Sequence, residues 1–215
     1  MARRYDCSDA TDRKTGLREA VAAVRRGELV VLPTDTVYGI GADAFSSAAV
    51  GDLLQAKGRG RGMPSPVLVG SPNTLHGLVT DFSEQAWELV DAFWPGALTL
   101  VATHQPSLTW DLGETRGTVA VRMPLHPVAI ELLTEFGPMA VSSANLTGHP
   151  APQDCDAAQE MLGDSVSVYL DGGPTPADVP SSIVDVTGKV PVLLRAGAIS
   201  AEQLREVVPD LEVAN

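Results

Sequence analysis

Cysteine is nearly absent from this 215-residue chain: Cys7 and Cys155 stand far apart, in no metal-ligand spacing. That rules against a disulfide framework or a structural zinc site and leaves two free thiols suited to a reducing compartment. Basic residues are scarce, 15 against 27 acidic, giving a formal net charge of −12. So acidic a surface repels a phosphate backbone, and tight direct binding of nucleic acid is not expected. No apolar run approaches the ~20 residues needed to span a bilayer. Residues Met1 to Leu17 contain no apolar stretch of the secretory-signal kind. The expectation is a soluble, cytoplasmic protein with no membrane partner. The usual nucleotide fingerprints are missing too: there is no GxxxxGK[ST], and Gly39-Ile40-Gly41 lacks the third glycine of a dinucleotide turn. His76, His104, His126 and His149 form no HExxH or related pattern. A nucleotide, if bound, has to be held in another way.

Hydrophobic residues make up 44% of the chain, enough for a substantial core, and no repeat or linker divides it. The pattern predicts a helix opening at Thr15 and ending at Gly27, a buried strand Leu29–Leu32, and a loop Pro33–Thr36. Helices follow from Ser46 to Lys57, Ser83 to Phe93 and His126 to Phe136, with two more near Asp156–Leu162 and from Ser200. Strands are predicted at Pro66–Val69, Ala97–Ala102, Thr118–Val121, Met139–Val141, Val166–Leu170, Ile183–Val186 and Val190–Leu194. Several strands adjoin with no helix between them, so a mixed parallel and antiparallel α/β sheet flanked by helices is expected. Polar and Gly-rich segments fall at strand ends, where open α/β sheets place their ligands.

Several segments could carry chemistry. Lys57-Gly58-Arg59-Gly60-Arg61-Gly62 alternates cations with glycines; it suits phosphate oxygens, or is a solvated basic turn at a helix end. Ser142-Ser143-Ala144-Asn145 offers short polar groups for a phosphate or small substrate, or for a cap or Asx turn. Arg122 ends a strand and could clamp a carboxylate or sit in a structural ion pair. Thr34 and Thr36 around Asp35 could be turn chemistry; Arg195 ends a strand as Arg122 does, beside Ser181-Ser182.

In their joint order these segments resemble the YrdC-like family of threonylcarbamoyl-AMP synthases, from about Leu17 to Val208. The resemblance is carried by Pro33-Thr34-Asp35-Thr36-Val37-Tyr38-Gly39-Ile40-Gly41, the KxR element Lys57-Gly58-Arg59, and Trp94-Pro95-Gly96-Ala97-Leu98-Thr99. It continues through Val119-Ala120-Val121-Arg122-Met123-Pro124, the SxN element Ser143-Ala144-Asn145, Ser181-Ser182-Ile183-Val184-Asp185 and Leu193-Leu194-Arg195-Ala196-Gly197. It implies a twisted mixed sheet around a deep, positively lined cavity. The implied reaction joins L-threonine, bicarbonate or CO2, and ATP into threonylcarbamoyl-AMP with release of pyrophosphate. A partner transferase then passes the group to tRNA as N6-threonylcarbamoyladenosine. By similarity Lys57, Arg59, Ser143 and Asn145 hold the phosphates and act catalytically, with Arg61, Thr118 and Arg195 also on ATP. Thr34, Arg122 and Ser181 hold threonine. Mg2+ accompanies ATP with no nameable protein ligand, and no organic cofactor is implied.

The implied layout is a lead over 1–15, a catalytic domain over 16–208 and a tail over 209–215, the short single-domain form. Where the family often has lysine-proline-leucine and then a histidine, this chain has Met63-Pro64-Ser65-Pro66-Val67-Leu68-Val69-Gly70. A histidine that touches threonine in some members is therefore missing, and Ser182 stands where threonine is usual. An RNA-binding module is the rival reading that the acidic balance disfavours. A carbamoyl-transfer domain of the hydrogenase-maturation kind would need cysteine patterns that this chain lacks.

Overall fold

A computed structural model of the chain describes residues 2–176 and 179–214. Among these described residues eleven strands form one mixed sheet. In chain order they are β1 Arg3–Asp6, β2 Val30–Leu32, β3 Gly39–Asp43, β4 Val67–Leu68, β5 Leu98–Thr103, β6 Thr118–Arg122, β7 Met139–Ser143, β8 Val168–Asp171, β9 Ser182–Asp185, β10 Val192–Arg195 and β11 Glu212–Val213. The order across the sheet is β1-β8-β2-β3-β7-β4-β6-β5-β9-β10-β11. The helices are α1 Ala10–Arg25, α2 Ser47–Ala56, α3 Leu75–Leu78, α4 Glu84–Phe93, α5 Pro127–Phe136, α6 Cys155–Leu162 and α7 Ala201–Val207.

Strand periodicity decides which side chain goes to which layer. Val30 and Leu32 of β2, with Val168 and Leu170 of β8, pack into one apolar cluster with α1 and α5. Val31 and Tyr169, between them, point the other way into a second cluster with α2 and α6. This half of the sheet is covered on both faces. In the other half, Leu98, Leu100 and Ala102 of β5, Val119 and Val121 of β6 and Val184 of β9 pack against α3, α4 and α7. The alternate residues of those strands face away from that cluster, and they floor the cavity described below.

The chain uses more of its length for the sheet than the pattern indicates. β1 lies within residues 1–15 and pairs parallel with β8; β11 lies within 209–215 and pairs parallel with β10. β3 forms a strand despite two glycines, because neighbouring side chains occupy the space above them. A Cβ on Gly39 would meet Val141 Cγ1 at 2.6 Å. β7 runs on to Ser143, so Ser142 and Ser143 lie in the sheet opposite Ile40 and Gly39, not in a loop.

Helix α1 begins at Ala10 and not after Thr15. The Asp9 carboxylate accepts hydrogen bonds from the Thr11 and Asp12 amides at 2.9 and 2.8 Å, satisfying donors that the first turn would leave orphaned. Thr15 sits inside the helix with its hydroxyl on the Thr11 carbonyl. Asp9→Ala should therefore cost about 1 kcal/mol in urea unfolding, while Thr15→Ala stays within about 0.5 kcal/mol of the parent. The reverse order would return the helix start to Thr15.

Candidate active site

The face of β5, β6 and β9 left free by helices floors a cavity of about 510 Å3. Thr99 and Val101 reach it from β5, Ala120 and Arg122 from β6, and Ile183 from β9. Its walls come from the two halves of the sheet and their loops, among them Thr34, Arg59, Ser142, Ser143, Ser181 and Arg195. Three of the lining residues are arginines, and among the described residues none is acidic. A chain of net charge −12 has thus concentrated positive charge in one concave place.

Arg122 is buried, 7% exposed. Its Nε donates to the Gly96 carbonyl at 2.9 Å, Nη1 to Thr36 Oγ1 at 3.0 Å and Nη2 to Asp35 Oδ1 at 2.6 Å. Asp35 Oδ1 also accepts from the Leu125 amide at 2.9 Å. Burial lowers the guanidinium pKa from its ordinary value, and the Asp35 carboxylate opposes that shift. A guanidinium has five N–H donors, so two remain for a ligand. The ion pair and the carboxylate clamp, alternatives in the sequence, are compatible on one side chain. Thr34 closes the turn beside it: its hydroxyl donates to the Val37 carbonyl at 2.6 Å and accepts from the Thr36 and Val37 amides.

Arg195 donates through Nε and Nη2 to the Ser181 carbonyl at 3.1 and 2.6 Å, fixing the loop that carries Ser181. Arg59 donates from Nη1 to Ser142 Oγ at 2.8 Å, and its Nε is buried with no partner among the described residues. Burial lowers the pKa of both arginines. Cations held this way, partly desolvated and with donors unspent, favour an anionic ligand.

Four expected site residues stand elsewhere. Lys57 is not at the cavity surface; it is 2% exposed, and Nζ donates to the carbonyls of Ser143 and Asn145, the latter at 2.7 Å, and to Asn145 Oδ1 at 3.4 Å. An ammonium has three donors, so all are spent on the last residue of β7 and the loop after it, and Lys57 holds that loop in place. Asn145 does not line the cavity either: its Nδ2 donates to the Leu146 and His149 carbonyls, which is turn chemistry. Arg61 is exposed and paired with Asp111 at 2.7 Å, because loop 105–117 draws it outward. Thr118 opens β6, its hydroxyl on the Thr115 carbonyl at 2.8 Å, at the opposite end of the strand from Arg122. At the end of the segment 63–70, Gly70 has α5 packed on it: a Cβ there would meet the Thr134 amide nitrogen at 2.7 Å. Thr99, read only as the end of a motif block, is a cavity residue, signalled by one hydroxyl between Leu98 and Leu100.

The Sua5/YciO/YrdC family model, described as telomere recombination, matches residues 22–197, and the chain belongs to that family. It is 59% identical over 208 residues to a Mycobacterium tuberculosis protein, covering 97% of this chain and 96% of that one. That relative is named a threonylcarbamoyl-AMP synthase in provisional form. A Bacillus subtilis threonylcarbamoyl-AMP synthase is 39% identical over 199 residues, 92% of this chain and 58% of that protein. The structure of Pyrococcus abyssi Sua5 complexed with L-threonine superposes with a TM-score of 0.90 at 34% identity, covering all of this chain and 62% of that one. The chain therefore spans less than two thirds of these last two proteins.

Desolvation by burial, and then the nearby Arg59 charge, lower the Lys57 pKa to about 8. Between about pH 8 and its ordinary value the folded chain holds fewer protons at Lys57 than the unfolded chain, so this residue's contribution to stability rises with pH across that window. Below pH 8 the cost of the buried charge is fully present. The stability difference between wild type and Lys57→Met should shift in favour of wild type from pH 8 towards about pH 10. A difference that stays flat would place the ammonium in a water-like setting and contradict the geometry.

Proposed function

We propose that this protein is a threonylcarbamoyl-AMP synthase, an enzyme of the nucleotidyltransferase class acting on L-threonine, bicarbonate and ATP. CO2, or bicarbonate with loss of water, adds to the amine of threonine, which gives up a proton, and an oxygen of the resulting carbamate attacks the α-phosphorus of ATP. The bond from that phosphorus to the β-phosphate bridging oxygen breaks, and pyrophosphate leaves. What supports this reading is the convergence of Arg59, Arg122 and Arg195 on one cavity in an acidic chain, together with the names of its relatives. An anionic carbamate and an anionic triphosphate have to meet, so the enzyme's work is neutralising charge and aligning the partners. No histidine base is required once the carbamate exists.

In this reading Arg59 and Arg195 take phosphate oxygens, and Ser143, half-buried at the cavity wall, adds a hydroxyl. Lys57 and Asn145 act through the loop they fix. Arg122 takes the carboxylate of threonine, flanked by Thr34 and Ser181. Mg2+ enters on the triphosphate as part of the substrate; among the described residues no three His, Cys, Asp or Glu side chains gather to hold a metal. The product passes to a tRNA threonylcarbamoyl transferase in the cytoplasm, without tight tRNA binding by this chain. Among the described residues no helix is long and apolar enough to cross a membrane.

Incubation with ATP, threonine and bicarbonate should yield threonylcarbamoyl-AMP and pyrophosphate; their absence from folded protein would refute the reading. Arg122→Lys keeps the charge and loses the planar fork. A charged pair of this kind is worth roughly 1.5–3 kcal/mol, so the threonine KM should rise about 10- to 150-fold with little change in the ATP KM. If ATP alone is weakened, Arg122 belongs to the nucleotide side.

A further inference from the structure

Three strands beneath the cavity bring one more residue into position. Thr99 of β5 pairs with Ile183 of β9, and the antiparallel register of β5 with β6 sets Leu100 opposite Val121. The next step of that register puts Thr99 opposite Arg122, so Arg122, Thr99 and Ile183 form one row across the cavity floor. Ala120 and Val101 form the adjoining pair in the next row. Neighbouring strands lie about 4.8 Å apart. An α-amino acid whose carboxylate rests on Arg122 and which extends towards β9 carries its β-carbon over β5, whereas on the other side Leu68 of β4, paired with Arg122, offers no hydroxyl.

The hydroxyls available at that spot are limited. Thr34 donates to the Val37 carbonyl, and Thr36 Oγ1 lies 3.1 Å from Thr34 Oγ1 while accepting from Arg122, so both belong to their own turn. Thr99 Oγ1 and Ser181 Oγ lie 2.8 Å apart, both buried. One hydrogen bond between two hydroxyls consumes one of their two protons, leaving an O–H to donate. Arg195 Nη2, 3.3 Å from Ser181 Oγ, supplies a further donor and polarises the pair. Around it Val101, Ala120 and Ile183 are apolar.

We infer that Thr99 is a specificity-determining residue: with Ser181 it reads the β-hydroxyl of the amino-acid substrate, while Val101, Ala120 and Ile183 receive the β-methyl. This rests on the proposed threonine reaction and deepens it. A site built to hydrogen-bond a hydroxyl rejects the isostere that lacks it, because its own polar groups are left unpaired. Valine is that isostere of threonine.

The test is pyrophosphate release with threonine and with valine, at saturating ATP and bicarbonate, for wild type, Thr99→Val, Thr99→Ser and Ser181→Ala. Thr99→Val should lower kcat/KM for threonine at least about tenfold without lowering that for valine, and leave the ATP KM in place. Thr99→Ser should restore the threonine preference, and Ser181→Ala should narrow it even if Thr99→Val fails to fold. Equal losses for the two amino acids, or a preference unchanged in Thr99→Val and Ser181→Ala, overturn the inference. Wild type that releases no pyrophosphate with threonine would instead sink the proposed function, before any variant is compared.

Discussion

A β-sheet buries its two faces by alternation, and in this chain the alternation is completed on only three of four half-faces. α1 with α5 and α2 with α6 cover both sides of one half; α3, α4 and α7 cover one side of the other. The remaining side cannot be left as bare apolar surface without inviting association. The sequence places Thr99, Arg122 and, at the margins, Arg59, Ser181 and Arg195 where helix-facing leucines would otherwise stand. The same strand that packs Val121 into the core presents Arg122 to the cavity, so the site inherits the rigidity of the core beneath it.

That placement has an electrostatic cost, and hydrogen bonding meets it residue by residue. Arg122 would be costly at 7% exposure without Asp35, Thr36 and Gly96 around it. Lys57 is held by carbonyl oxygens, while burial and the nearby Arg59 charge take away part of its basicity. The two buried cations therefore do different work. Arg122 keeps donors for a ligand, whereas Lys57 spends all of its donors on the end of β7 and the loop that leads to α6. Charge fixed in advance in this way does not have to reorganise when an anionic ligand binds.

Much of this was legible in the chain. The caps at Ser46, Ser83 and Ser200 and the stop at Gly137 mark helices because their chemistry is local. β1, β3 and β11 were not legible, since a charged edge, a glycine pair and two terminal residues become strands only through partners distant in sequence. The family resemblance identified Arg59, Arg122, Arg195 and Ser181 as site residues, and all four line the cavity. It could not say that Lys57 turns inward, that Asn145 closes its own turn or that Arg61 is drawn out to Asp111, because each depends on which neighbour spends the donor. Thr99 was legible in principle as a lone hydroxyl in an apolar strand, but its meaning waits on register with Arg122.

If the arginines on the uncovered sheet face form a preorganised polyanion site, this acidic protein should bind a polyphosphate. Calorimetric titration with inorganic tripolyphosphate at several salt concentrations tests it without involving the chemistry. Binding at a single site is expected, weakening as salt rises, and lost when Arg59 or Arg195 is replaced by alanine in protein that remains folded. No binding at low salt, or binding indifferent to both arginines, would contradict it.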